Sequence, residues 1–131
     1  MEIIIDASAI LAVLLNEPEK HAVIMATEGC VLTAPGCLEY EIGNAVSALY
    51  KRKLLAIPEG ILVWHEFAKI PVRLVTPPFP SALTLAGTEL IYAYDAYYIA
   101  CAEQLRIPLL TLDSAMMSSA LSRGVECLEV M

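Results

Sequence analysis

Short runs of β-branched and other apolar residues alternate along this chain with longer stretches in which apolar residues recur every three or four positions. The short runs predict strands buried on both faces, as in parallel sheets, and the longer stretches predict amphipathic helices. Strands are expected at residues 2–5, 30–34, 72–75, 109–112 and 125–130. Helices are expected at residues 8–15, 19–27, 37–53, 58–69, 81–89, 95–105 and 114–122.

Strands that alternate with helices predict right-handed βαβ connections and therefore an α/β fold. We expect a three-layer sandwich in which helices cover both faces of a central five-stranded parallel sheet. A length of 131 residues suits one domain with a single core, so residues 1–131 are treated as one unit. Ligands of such folds bind where the parallel strands end, and the search for chemistry begins at those positions.

The apolar content is high, at 58% of residues with a mean hydropathy of +0.65. No stretch approaches the roughly 20 apolar residues of a membrane span, and the first residues lack the basic segment of a signal peptide. The four cysteines have no metal-binding spacing and are expected as free thiols in a reducing cytoplasm. The excess of apolar residues favours a buried subunit interface, and hence a homodimer.

Three aspartates stand where predicted strands end or helices begin. Asp6 directly follows the buried run at residues 3–5. Asp95 begins a predicted helix about 16 Å long, and the following strand runs back over about the same length to Asp113, so the two aspartates should meet. Taken singly, Asp95 or Asp113 is more simply explained as a helix cap. A carboxylate at the end of a buried strand, such as Asp6, needs an opposite charge or hydrogen-bond donors, because an unpaired buried charge is costly. Their convergence predicts a functional site.

Carboxylates gathered without histidine or cysteine are hard oxygen ligands, which suit Mg²⁺ or Mn²⁺. Such ions activate water and stabilise the hydrolysis of phosphodiesters. A fourth carboxylate on the long helix, either Glu39 or Glu41, could reach the same site, and the helical pattern leaves both open. The net charge of −7 disfavours nucleic-acid binding by the surface alone, unless metal ions neutralise the cleft.

Four segments carry a family resemblance: IDASA at 5–9, EIGNA at 41–45, YDA at 94–96 and LTLD at 110–113. In order and spacing they resemble the acidic motifs of PIN-domain ribonucleases, and most closely those of the VapC toxins of prokaryotic toxin–antitoxin pairs. The likeness covers essentially the whole chain. It implies the five-stranded parallel sheet expected above, and among the two glutamates it matches Glu41 rather than Glu39.

The resemblance also implies roles for individual residues. Asp6, Glu41, Asp95 and Asp113 would bind Mg²⁺ or Mn²⁺ and position the attacking water on an RNA substrate. Supporting hydrogen bonds would come from Ser8, Asn44 and Thr111. The family further implies a dimer and a small VapB-like antitoxin whose basic arm enters the acidic cleft.

Other readings of the same residues remain open. A phosphatase with an aspartyl nucleophile needs a second aspartate two residues after Asp6, where Ser8 stands, and a receiver domain lacks its acidic pair and lysine. A non-catalytic PIN-like interaction module or a housekeeping RNA-processing nuclease stays possible. The basic cluster 51–53 is either a phosphate contact or a solvated helix end. The tyrosines at 92, 94, 97 and 98 are either base-stacking groups or packing.

Overall fold

The computed structural model describes residues 1–130. Its elements are, in order, β1 (Glu2–Ile5), α1 (Ala7–Leu14), α2 (Lys20–Thr27), β2 (Val31–Pro35), α3 (Leu38–Lys51), α4 (Ile57–Ala68), β3 (Val72–Val75), α5 (Phe79–Glu89), α6 (Ala93–Leu105), β4 (Leu109–Leu110) and α7 (Ser114–Ser122). The alternation of short apolar strands and amphipathic helices predicted from the sequence is therefore present, with shifts of a few residues at the ends.

The strands form one parallel sheet in the order β3-β2-β1-β4. β1 lies in the interior of this sheet, and the side chains of Ile3, Ile4 and Ile5 are at most 1% exposed. A continuous apolar run is what a strand needs when helices cover both of its faces. The order brings β4 beside β1 although about a hundred residues separate them along the chain.

The helices flank the sheet in two groups. Helices α1 to α4 pack against one another, whereas α5 packs on α6, and α6 also contacts β1, β2, β4 and α7. The buried residues of α6 are apolar or small apart from Tyr98; they are Ala96, Tyr98, Ile99, Ala100, Cys101 and Ala102. This helix therefore anchors Asp95 rigidly to the sheet.

The fifth predicted strand, at residues 125–130, does not form, and the sheet described in residues 1–130 has four strands. Cys127 makes only an isolated parallel bridge to Leu109, with backbone hydrogen bonds from Leu109 to Glu126 and from Leu128 to Leu109, each 2.9 Å. The reason is the length of β4, which has two residues. The segment lies parallel to β4, as predicted, but β4 is too short for the two to form a ladder.

β4 is shorter than predicted because side-chain hydroxyls accept the backbone N–H groups that would otherwise pair with a neighbouring strand. The N–H of Leu112 donates to Ser8 Oγ at 3.0 Å, and the N–H of Asp113 donates to Thr111 Oγ1 at 3.0 Å. Side-chain acceptors of this kind compete with sheet pairing. The chain thus leaves the sheet at Thr111, where the candidate site begins.

The four cysteines, Cys30, Cys37, Cys101 and Cys127, are free thiols, as expected from their spacing. None of the helices in residues 1–130 combines the length and apolar content that crossing a bilayer requires.

Candidate functional site

Asp6 and Asp113 end two neighbouring strand segments at one edge of the sheet. Asp6 follows β1 and caps α1, and its Oδ1 accepts the N–H of Ala9 at 3.1 Å. Asp113 caps α7, and its Oδ1 accepts the N–H groups of Ala115 and Met116 at 2.9 and 3.0 Å. Because β1 and β4 pair in parallel, both carboxylates lie at the carboxyl-terminal edge of the sheet.

Glu41 and Asp95 lie in the first turns of α3 and α6. All four predicted carboxylates therefore stand at the beginning of a helix. The exposed N–H groups and the dipole of a helix give its first turn a partial positive charge. The fold thus offers each negative side chain a favourable backbone environment.

The carboxylate of Asp6 is 2% exposed and fully engaged. Besides the backbone bond, it accepts the hydroxyls of Ser8 at 2.7 Å and Thr111 at 2.5 Å. Burial raises the pKa of Asp6, and the negative charge of Asp113 raises it further. The hydrogen bonds from Thr111, Ser8 and Ala9 lower the pKa, but the net direction is upward.

Ser8 and Thr111 join the two turns of the site. Each hydroxyl donates to Asp6 and accepts a backbone N–H from the segment after β4, Ser8 from Leu112 and Thr111 from Asp113. These residues were singled out by resemblance as hydrogen-bonding supports. The contacts hold the start of α1 at residues 6–8 against the segment at residues 111–113.

Glu41 reaches across from α3 and is held by α6. Its carboxylate accepts the hydroxyl of Tyr98 at 2.5 Å. Burial raises the pKa of Glu41, the hydrogen bonds of Tyr98 and Cys37 lower it, and the charges of Asp6 and Asp95 raise it, with an upward net direction. Burial and the Glu41 carboxylate raise the pKa of the Cys37 thiol to about 12, so that thiol stays protonated at neutral pH. Glu39, the alternative left open by the helical pattern, makes no hydrogen bond or ion pair within residues 1–130.

Asp95 is half-buried, and its side chain makes no hydrogen bond to any residue from 1 to 130. Burial raises its pKa, and the charges of Asp113 and Asp6 raise it further. Since Asp6, Glu41 and Asp95 each respond to the charges of others in the set, the four carboxylates are electrostatic neighbours. The structure thus brings together the four acidic residues predicted from the sequence.

No protein cation balances this cluster in the described part of the chain. Its three ion pairs, Lys69 with Glu66, Arg73 with Glu2 and Arg123 with Glu103, lie elsewhere. The donor set consists of carboxylate oxygens, which fits Mg²⁺ or Mn²⁺ in chemistry. As the side chains stand, however, residues 1–130 contain no group of three or more His, Cys, Asp or Glu side chains arranged to hold a metal ion. A bound ion would therefore require side-chain adjustment.

Asn44 is exposed and lies one helical turn after Glu41. Its side chain makes no hydrogen bond within residues 1–130, so the structure does not bring it into contact with a backbone group or a carboxylate. It instead lines a cleft beside the carboxylates, together with Ala7, Tyr40, Glu41, Ala45 and Tyr94. The basic residues 51–53 are exposed at the far end of the same helix.

Tyr98 is the functional residue whose role sequence reasoning missed. Its position on the apolar face of α6 indicated packing or base stacking, but stacking is wrong because the residue is 0% exposed. Its hydroxyl contacts Glu41 instead. A signal was present in the spacing, since residues three apart share a helix face and Tyr98 therefore points to the same side as Asp95.

Two relatives of known family match most of the chain. Ribonuclease VapC12 of Mycobacterium tuberculosis is 32% identical over 119 residues, which cover 89% of this chain and 91% of the relative. Ribonuclease VapC3 of Pyrobaculum aerophilum is 31% identical over 121 residues, which cover 86% of this chain and 90% of the relative. No protein-family model matches the chain.

A solved structure, that of PAE2754 from Pyrobaculum aerophilum, is similar to this one with a TM-score of 0.71. The match covers 91% of this chain and 79% of that chain at 22% sequence identity. At that identity the likeness shows a shared fold. It agrees with the parallel sheet flanked by helices described above.

Proposed function

Because this chain belongs to the VapC family of PIN-domain ribonucleases, we propose that it is an endoribonuclease that hydrolyses RNA phosphodiester bonds with Mg²⁺ or Mn²⁺. The observation that carries the metal dependence is the cluster of Asp6, Glu41, Asp95 and Asp113, which has no protein cation within residues 1–130. Like charges at short range repel and destabilise a fold. A bound cation would offset the repulsion between these four carboxylates.

The same four carboxylates would hold the ion. In residues 1–130, Asp95 accepts no hydrogen bond, and Asp113 uses only Oδ1 for its helix cap. Asp6 is fixed in place: its Oδ1 accepts hydrogen bonds from both Ser8 and Ala9, whereas its Oδ2 accepts only that of Thr111 and retains a second lone pair. When bound, the ion lowers the pKa of a water molecule and neutralises charge on the phosphate.

The protein side chains would orient the reactants. In hydrolysis a water oxygen bonds to phosphorus, the bond from phosphorus to the leaving ribose oxygen breaks, and that oxygen gains a proton. Asp95 and Asp113 are assigned to orient the water and accept its proton, because they retain free oxygens at the surface of the site. Asp6, Ser8 and Thr111 keep the two turns in register, and Tyr98 holds Glu41.

The proposed biological role is that of the toxin in a toxin–antitoxin pair, with a small VapB-like antitoxin as partner. The net charge of −7 and the acidic edge of the sheet suit a basic segment of that partner. A homodimer is proposed from the many exposed apolar side chains, and the free thiols suit a reducing cytoplasm.

The test is cleavage of a panel of structured and single-stranded RNAs by the purified chain with Mg²⁺, with Mn²⁺ and with EDTA. Glu41→Gln and Asp95→Asn are compared with Glu39→Gln, which removes a glutamate from the same turn of α3 outside the cluster. We expect metal-dependent cleavage that both site variants lose and the control retains.

Cleavage that persists in EDTA, or in Asp95→Asn, would contradict the metal site. If the folded, inhibitor-free chain cleaves no RNA with either metal, a non-catalytic binding module becomes the favoured function. Growth arrest on expression, relieved by Asp95→Asn but not by Glu39→Gln, is the result expected of a toxin.

A further inference from the structure

A cleft beside the carboxylate cluster contains two tyrosines to which neither the fold nor the proposed hydrolysis assigns a role. Tyr40 and Tyr94, 78% and 56% exposed, line it together with Asn44 and Glu41, and Ala7 and Ala45 complete the lining. The cleft measures about 320 Å³. Its residues come from the first turns of α1 and α6 and from the first half of α3.

The two tyrosines are available for stacking. Neither hydroxyl makes a hydrogen bond in residues 1–130, and most of each side chain is exposed although aromatic rings usually bury their apolar surface. The ring of Tyr94 is braced edge-on by Tyr97 at a centroid distance of 6.0 Å, and Tyr97 is braced in turn by Phe79 at 5.3 Å. Tyr94 is thus a supported aromatic surface rather than a free side chain.

The polar groups of the cleft restrict what it binds. The Glu41 carboxylate disfavours a phosphate or a carboxylate, whereas a neutral group with N–H donors is compatible with it. The amide of Asn44 adds one acceptor and two donors that no residue from 1 to 130 engages. The small side chains of Ala7 and Ala45 leave room beside the rings. A flat, neutral, hydrogen-bonding ligand fits this combination.

We propose that the cleft binds an unpaired nucleobase of the RNA substrate, stacked on Tyr40 or Tyr94 and hydrogen-bonded by Asn44. The inference rests on the proposed function, because Glu41 belongs both to the cleft and to the carboxylate cluster. A base held there lies next to the phosphate that is hydrolysed. Since bases inside an RNA double helix are stacked and paired, the cleft selects single-stranded loops or ends of the RNA.

The test uses the full chain with Asp95→Asn as a non-cleaving background. Fluorescent hexaribonucleotides of A, C and U, together with an abasic hexamer, are titrated in the presence of Mg²⁺. We expect Tyr40→Ala or Tyr94→Ala, whichever removes the ring on which the base stacks, to weaken binding by roughly 5- to 150-fold, the range of one base–aromatic stack. Tyr40→Phe and Tyr94→Phe should restore it, and Tyr92→Ala, an exposed tyrosine outside the cleft, should have no effect.

The second readout is the side-chain amide signal of Asn44 in a nitrogen–proton correlation spectrum. It should shift with at least one of the base-containing hexamers and not with the abasic one. Three results would overturn the proposal: equal shifts with the abasic hexamer, no binding of any hexamer, or unchanged affinity in both alanine variants. The last result would favour a side chain of a protein partner as the ligand of the cleft.

The cleavage assay separates this inference from the proposed function. A native chain that cleaves RNA while the tyrosine variants bind normally refutes the nucleobase cleft alone. A native chain that binds bases through the cleft but cleaves nothing refutes the nuclease and retains the cleft.

Discussion

The hydrogen bond from Tyr98 to Glu41 allows a quantitative test of how the site is held. Tyr98→Phe removes one oxygen atom from a ring that is 0% exposed and leaves the apolar contacts of the ring in place. A hydrogen bond to a charged acceptor contributes about 1.5–3 kcal/mol to stability. In a chain of 131 residues, 1 kcal/mol corresponds to roughly 3–5 °C in Tm, so we expect a loss of about 5–15 °C.

The loss should depend on pH in a defined direction. The pKa of Glu41 is raised in the folded protein, so the folded chain binds more protons than the unfolded chain and its stability falls as pH rises through that pKa. The Tyr98 hydroxyl opposes this effect because it lowers the pKa of Glu41. Without the hydroxyl the pKa rises further, and the cost of the variant grows from acid to neutral pH.

The assay is thermal unfolding of the metal-free chain, with Tm measured at about pH 4 and about pH 8, on either side of the range in which a glutamate of raised pKa titrates. Tyr97→Phe is the matched control, because its ring is half-buried on the same helix and its hydroxyl has no hydrogen bond within residues 1–130. A Tyr98→Phe chain as stable as the parent at both pH values would refute the reasoning. So would an equal loss in Tyr97→Phe.

Three further substitutions test other contacts. Gly87→Ala, with open space around it, should stabilise its helix by roughly 0.5–1 kcal/mol in thermal melts. Gly60→Ala should gain less or lose stability, because its Cβ would collide with the Tyr50 hydroxyl and displace that side chain from the carbonyl of Ile57. Asp95→Asn should stabilise the metal-free chain at neutral pH by up to about 1 kcal/mol, because it removes a like charge whose pKa is raised and loses no hydrogen bond in residues 1–130. In melts with EDTA, the Tm of the variant should fall less steeply with rising pH than that of the parent. A steeper fall would contradict the proposed repulsion. Thr111→Val should cost about 1.5–3 kcal/mol and reduce cleavage, because it removes the donor to Asp6 and the acceptor for Asp113, while Thr84→Val, at an exposed helix position, should leave cleavage unchanged.

The alternation of strands and helices was predictable because each element of this chain has a consistent local pattern. The run at residues 3–5 could only be a strand buried on both faces, and that fixed the position of Asp6. The ends of elements were less predictable, since they depend on contacts between distant residues. β4 ends at Leu110 because Ser8, a hundred residues earlier, accepts the N–H of Leu112.

The same distinction applies to the site. Spacing alone predicted that Asp95 and Asp113 meet, because a helix and a returning strand of equal length join them. The helical pattern alone left both Glu39 and Glu41 open, and only the family resemblance selected Glu41. The orientation of α3 that brings Glu41 to the cluster is set by its packing on α1 and α4. Likewise, the hydroxyl of Tyr98 could be assigned to Glu41 only once α3 and α6 were placed side by side.

The position of β4 beside β1 has a consequence for a chain still being synthesised on the ribosome. Asp6 emerges early, but Thr111, which donates to Asp6, and Leu112, whose N–H donates to Ser8, emerge about a hundred residues later. Until then one edge of β1 has no neighbour, and the interior strand of the mature sheet is an exposed border. The acidic edge is therefore complete only after Asp113 has been translated, so under the proposed function the nascent chain cannot hydrolyse RNA before that point.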